Sequence, residues 1–489
     1  MTRATIFEEH SSVVPHWFAA GVSAATVIYL DAHLDLQFVD ASRIARLRHC
    51  ATADEIAQLE SPHPLSPDRS ACYGIEDFLY PAARLGLIQR VIWVAPPHVM
   101  RVGMASALRG LQQMEGVTVE DLESFHRTPG DWIEGRLLGL DLEICDLSQL
   151  SRVSLDGCVL VDIDTDYFIS VPDDTVWAQP REVIVALKAL VGKGADVTIA
   201  RSVGSGFLPL RHRFLADHVA ALWEGRRDDA DHWQSLLDLE MQLLSGRRDD
   251  ALTGLNEARQ RRPDCAASCH ALALATLDAQ ERARHLVMAG VLDPAFSDDV
   301  VRRLGEFRAR RKRVDLATVM GLHREVAALQ DSAERQATAW IALGLLYTAF
   351  GRLDEARACD EQSLRYSAGH PELALEIAKL QIARGEYAAA VCLLDRAVVD
   401  DETRVAAWLH LAECAFALGS CAQARRHGLA AHQAAPAWPE VLMRLGAFAH
   451  AVGDRGEARS MLAQHDEIQR RISGLVGRLN SSNKSIAMH

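Results

Sequence analysis

Ala24-Ala25-Thr26-Val27-Ile28-Tyr29-Leu30 runs straight into Asp31-Ala32-His33-Leu34-Asp35, and Gly157-Cys158-Val159-Leu160-Val161 runs straight into Asp162-Ile163-Asp164-Thr165-Asp166. Each apolar run reads as a buried strand. Each ends by releasing carboxylates at alternate positions, so their side chains start on one side of the chain. Two such strands side by side aim four carboxylates, those of Asp31, Asp35, Asp162 and Asp164, and the histidine His33 at one point. Such a cluster repels itself unless cations neutralise it. The pattern implies a metal site, and the supply of carboxylates suits two ions.

Working outward, residues 1–228 alternate strand-like and helix-like stretches. Candidate strands are 24–30, 90–95, 157–161 and 196–200. Helical patterns run from Gly74 to Leu87 and from Arg181 to Val191. The alternation predicts an α/β domain with a mainly parallel sheet covered on both faces. Ligands in such sheets collect at the carboxyl ends of strands, where both acidic strings lie.

The pattern changes near Arg226-Arg227-Asp228-Asp229, a polar stretch that suits a linker. From 229 to about 475 the strand signal is absent, and a 34-residue period appears. Gly351, Gly385, Gly419 and Gly453 keep this spacing, as do Ala356, Ala390, Ala424 and Ala458. Leu343, Ile377, Leu411 and Leu445 form a third column in the same register. These columns resemble the tetratricopeptide repeat, which implies an all-α solenoid of paired helices. The clearest copies cover 337–470. Gly246, Ala251, Leu255 and Pro263 fit an earlier pair, and 266–336 has room for about two more. Residues 476–489 read as a flexible tail.

Of the 489 residues, 49% are hydrophobic, which suits a globular protein of two or more domains. The net charge of −14 argues against nonspecific nucleic-acid binding and is compatible with a cationic substrate or partner. Ten cysteines are scattered with no CxxC pair, as expected of reduced thiols in a cytoplasmic protein. The first residues contain no long apolar segment, so no signal peptide is expected, and no run is long enough for a membrane span.

The paired strings Asp31-x-His33-x-Asp35 and Asp162-x-Asp164 resemble those of the arginase and deacetylase superfamily. More specifically, residues 1–225 resemble the branch that includes the peptide arginases. The resemblance rests on Glu8-Glu9-His10, the Asp31 string, Ile75-Glu76-Asp77-Phe78, Val91-Ile92-Trp93-Val94-Ala95-Pro96, Asp162-Ile163-Asp164-Thr165-Asp166-Tyr167-Phe168 and Thr198-Ile199-Ala200-Arg201-Ser202. It implies a three-layer α/β domain. It also implies two Mn²⁺ ions, one held by His10, Asp31, Asp35 and Asp162, the other by Asp31, His33, Asp162 and Asp164. His16 is the alternative to His10.

The same resemblance implies hydrolysis of an arginine side chain in a ribosomal precursor peptide, giving ornithine and urea. Glu76 is the candidate for gripping the guanidinium, since a carboxylate matches its forked donors; an acid favoured at a helix start is the plainer reading. Asp166 would orient a ligand or cap the turn after the strand. Ser202 would line the substrate pocket, and His98 or His126 would shuttle a proton. The chain departs from ordinary arginases: it lacks a Gly-Gly-Asp-His string, and Asp164 is not followed by Gly-x-Asp-Pro. Those loops recognise free arginine, so a larger substrate is favoured. The repeats would bind the precursor peptide or join copies in a homo-oligomer. The alternatives are a deacetylase or small-guanidine hydrolase of the same fold, and a repeat scaffold with an inactive metal domain.

Overall fold

Val27, Ile28, Tyr29 and Leu30 are all fully buried, as in a strand whose two faces are both covered. The computed structural model describes residues 3–61, 70–101, 104–170, 174–192, 195, 197–297, 299–304, 314–366 and 370–480. Its strands are β1 (Ala4–Phe7), β2 (Ala25–Leu30), β3 (Ile88–Val94), β4 (His126–Arg127), β5 (Ile133–Leu137), β6 (Leu140–Cys145), β7 (Val159–Asp164), β8 (Ile169–Ser170), β9 (Thr175–Val176) and β10 (Val197–Ala200). Eight form one mainly parallel sheet in the order β1-β10-β7-β2-β3-β6-β5-β4, while β8 and β9 pair separately.

The sequence reading placed Asp162 and Asp164 beyond a strand ending at 161. They lie instead inside β7, and Asp164 is its last residue. Its parallel ladder with β10 sets Asp162 opposite Thr198 and Asp164 opposite Ala200. The helix expected from Gly74 to Leu87 is shorter, Leu79–Arg84. Asp77 Oδ1 accepts the Gly74 amide at 2.8 Å, which holds the preceding residues in a turn. Residue 196, the start of the last expected strand, lies outside the described residues, as do 481–489 of the expected tail. The long helix Arg455–Asn480 includes 476–480.

Two compact units interleave along the chain. The first comprises Met1–Val13, Val27–Ala32 and Val159–Arg313. Here helix Leu215–Glu224 packs on β1, on β10 and on helix Pro180–Val191. The polar stretch at 226–229 is a turn and a helix start: Gly225, at φ +76°, closes one helix, and Arg227–Leu244 begins the next. Arg248–Arg261 pairs with it after Gly246 at φ +82°, and Ala266–Ala275 and Ala279–Leu292 follow.

The second unit comprises Val14–Thr26, His33–Cys158 and Val314–His489. Its strands include the antiparallel β5–β6 hairpin, which turns at Leu138 and Gly139 with φ +51° and +83°. Its helix pairs are Ala333–Ala349 with Leu353–Tyr366, Pro371–Ala383 with Tyr387–Ala397, Asp401–Ala417 with Cys421–Ala434, and Pro439–Ala451 with Arg455–Asn480. Gly351, Gly385, Gly419 and Gly453 turn the chain inside each pair, at φ +70°, +77°, +79° and +86°. This left-handed region costs glycine little, which explains the 34-residue column. These are helix hairpins of tetratricopeptide type.

Glu240, on helix Arg227–Leu244, is 1% exposed. Burial pushes its pKa from 4.5 up to about 7, against a weak opposing pull from Arg211. The unfolded chain therefore loses this proton before the folded one does, and stability falls as pH rises from about 4.5 through 7. Glu240→Gln should remove that fall. Its stability gain over the wild type should grow by on the order of 3 kcal/mol between pH 4.5 and pH 8, read from urea midpoints of both proteins.

Candidate metal centre

The β1–β10 ladder sets one wall of the site. It continues beyond both strands: the Arg201 amide donates to Phe7 O at 3.1 Å and the Ser202 amide to Glu8 O at 3.0 Å. Glu8 is clamped from its other side by Arg213, at 2.6 and 2.8 Å, and by Arg201 at 2.7 Å. Arg201 in turn takes both oxygens of Asp217 at 3.0 Å. These forked pairs fix the segment that delivers His10.

His10 is fully buried. One ring nitrogen lies 2.9 Å from Asp162 Oδ2; the other lies 3.0 Å from Asp31 Oδ2 and 3.3 Å from Asp164 Oδ2. One ligand atom each from His10, Asp31 and Asp164 lies within 4.8 Å of the others. The carboxylates arrive from the ends of β2 and β7, as alternation along a strand requires. Burial disfavours an imidazolium here, but Asp162, with Asp164 and Asp31, outweighs it and holds the His10 pKa well above its usual value. Burial and the charge of Asp166 push Asp164 up.

Each aspartate is also held by a neutral donor. Tyr29, two residues before Asp31 on the same strand, donates its hydroxyl to Asp31 and stacks on His10 at 5.3 Å. Thr198 donates to Asp162. Ser202 is fully buried and donates to Asp164, a placement behind the carboxylate. The Asp166 amide donates to Asp164 Oδ1 at 3.0 Å, and Asp166 Oδ1 accepts the Ala32 amide at 3.2 Å. Asp166 therefore ties the end of β7 to the segment after β2. Glu9 Oε1 accepts the Ser205 amide at 3.1 Å, and a Cβ on Gly204 would stand 2.4 Å from that oxygen. Burial raises the Glu9 pKa to about 7.

His33 is exposed, and Asp35 is 8% exposed; they follow Asp31 by two and four residues. Glu76 is exposed and accepts from Gln37 at 3.3 Å. His126 is exposed and lies 3.0 Å from Glu134, whereas His98 is partly buried in helix Pro97–Met100. His16 is partly buried in helix Val13–Ala19. Sequence reasoning did not single out Tyr29, Thr198 or the Glu8–Arg201–Arg213 network. Only Tyr29 was accessible to it, through its i−2 relation to Asp31.

The donor set passes a simple chemical test. Three buried carboxylates face one imidazole, which neutralises at most one of them. Carboxylate oxygens with some imidazole nitrogen are the donors that suit a fairly hard divalent cation.

No protein-family model matches the chain, and no curated protein matches it. Solved structures similar to parts of it include MamA, at 17% identity over 32% of this chain and 89% of that one, with a TM-score of 0.28. YrrB, described as a TPR protein with an unusual peptide-binding site, is 18% identical over 44% and 92%, TM-score 0.26. PilF of Pseudomonas aeruginosa is 19% identical over 42% and 92%, TM-score 0.25. Such low scores carry no argument. The repeat character rests on the helix pairs and the glycine register.

Thr198→Val and Ser202→Ala keep every candidate ligand but remove the hydroxyls that orient Asp162 and Asp164. Each should weaken Mn²⁺ binding about ten- to a hundredfold, measured by calorimetric titration of chelator-treated full-length protein. Unchanged affinity in both would show that the hydroxyls do not serve a metal.

Proposed function

We propose that this protein is a metal-dependent hydrolase that converts arginine side chains of a peptide to ornithine with release of urea, using two Mn²⁺ ions. The observation that carries the reading is the buried His10 ringed by Asp31, Asp162 and Asp164 at the carboxyl ends of parallel-sheet strands. The sequence resemblance to peptide arginases supplies the reaction. His10, Asp31, Asp162 and Asp164 would hold the cations, with His33 and Asp35 as the next donors along the chain. When bound, the cations would supply an acidified water as nucleophile at neutral pH.

The chain's own residues do the rest. Glu76 would take the forked N–H donors of the guanidinium, with Gln37 holding its carboxylate. The flat, electron-poor guanidinium carbon would be the point of attack for that water. The carbon–nitrogen bond to the side chain then breaks, the departing amine takes a proton, and urea leaves. Tyr29, Thr198 and Ser202 keep the carboxylates oriented throughout. The helix hairpins would hold the peptide, raising the local concentration of its arginines. Among the described residues no helix is long and apolar enough to cross a membrane.

The test is incubation of the full-length protein with Mn²⁺ and an arginine-containing peptide. Each conversion should lighten the peptide by one cyanamide unit and release one urea, and Asp162→Asn should abolish both. Loss of acetyl groups from an acetyl-lysine peptide, with arginine peptides untouched, would assign the chain to deacetylation. Tight metal binding without turnover of either peptide would leave a scaffold.

A further inference from the structure

The second unit contains a cavity of about 280 Å³ whose walls come from both kinds of structure. Leu34, Leu36 and Phe38 supply one wall, directly along the chain from His33 and around Asp35. Val405, on repeat helix Asp401–Ala417, and Trp438, just before helix Pro439–Ala451, supply another; Met114 completes it. We propose that this cavity is a specificity subsite that takes one bulky apolar side chain of the peptide substrate, beside the arginine that reacts. The proposal rests on the hydrolase reading above for the identity of that arginine.

The cavity is built rather than incidental. Arg404 reaches Glu115 at 2.8 Å, Arg43 reaches Asp400, Gln112 Nε2 donates to Ala437 O at 3.1 Å, and the Gly116 amide donates to Ala434 O at 3.0 Å. These bonds pin the repeat helices against segments 34–43 and 112–116. Gly116, at φ +75°, leaves room for Phe38: a Cβ there would stand 2.9 Å from the ring. Phe38 also packs on Tyr80 at 5.6 Å. The walls are mainly apolar, and Glu115, the one charged lining residue, is paired with Arg404. An uncharged side chain therefore enters with hydrophobic gain, while an acid meets no unopposed cation.

The size and place choose the occupant. The volume suits a single large side chain and is too small for a docked helix. Gln37 both lines the cavity and donates to Glu76, the carboxylate assigned to the guanidinium. An extended peptide advances about 3.3 Å per residue, so an arginine held at Glu76 carries its near neighbours past Gln37, a lining residue of the cavity.

The experiment uses full-length protein with Mn²⁺ and synthetic hexapeptides of one arginine, identical except for Ala, Asp, Leu or Phe beside it. Binding is read by calorimetry and product by mass. The Leu and Phe peptides should bind about tenfold or more tightly than the Ala peptide, and the Asp peptide no better than Ala. Ala406→Phe, which fills the cavity, and Trp438→Ala, which opens it, should each bring the Leu-to-Ala ratio close to one, with circular dichroism confirming the fold. Equal affinities in the wild type, preference for Asp, or a ratio that survives in both variants overturns the subsite. Because binding is read apart from turnover, a Leu preference without ornithine supports the cavity and sinks the hydrolase reading; ornithine without preference does the reverse.

Discussion

The constraint on which this site depends is negative charge gathered in a dry place. His10, Asp31, Asp162 and Asp164 are all nearly or fully buried, and Asp166 is buried close behind. Removing one carboxylate from water costs several kcal/mol after relaxation, unless an opposite charge meets it. One imidazolium balances one aspartate. The hydroxyls of Tyr29, Thr198 and Ser202 orient the others but do not neutralise them. A fold that only needed stability would do better with apolar residues at these positions. Retaining the acids makes sense when a cation is part of the folded state, since its binding energy then offsets the repulsion.

The local backbone around the aspartates fits the same account. Ser202 sits at φ +47°, a left-handed conformation that costs a non-glycine residue about 1–2 kcal/mol. Four bonds hold it there. Its amide donates to Glu8 O, its hydroxyl to Asp164, and its carbonyl accepts from the Leu208 amide and the Ser205 hydroxyl. The twist, two residues beyond the end of β10, turns the serine hydroxyl back onto Asp164 at the end of β7. The arginine pairs at Glu8 do the equivalent for the His10 segment. Position is thus enforced from two converging loops rather than by one side chain.

The legible parts of the sequence were those with a strong period. Strands β2 and β7 announced themselves as apolar runs ending in alternate carboxylates, and the repeats through glycines at a spacing that demands positive φ. His10 was reached only through the resemblance of Glu8-Glu9-His10, because a lone histidine before a proline-containing helix carries no periodic signal. Strand β1 escaped, being four residues long with no alternation, and its ladder partner lies almost two hundred residues away. The β5–β6 hairpin escaped for another reason. Its turn is Leu138-Gly139, with both residues at positive φ, where the usual marker would be Asn-Gly or Asp-Gly. A leucine in that position is a strained choice that no propensity rule anticipates.

The interleaving of the two units bears on what the repeats are for. Read as sequence, the helical half looks like a module attached to an α/β half. In space, helices from Leu215 to Leu292 share a unit with β1, β7 and β10, while the hairpins from Ala333 onward share the other with β3 to β6. A solenoid that served only as a tether would keep its own capped ends and touch its neighbour through a linker. Here Arg404 with Asp40, and Arg43 with Asp400, cross between repeat helices and the segment that follows the Asp31 string, and Arg471 of the last helix grips both Glu120 and Glu123. Cutting the chain at the change of pattern would expose apolar surface such as Phe38 and Trp438 and strip these ion pairs from both fragments. The hairpins from Ala333 onward are therefore folded together with segments 34–43 and 112–123 of the same unit rather than appended to them.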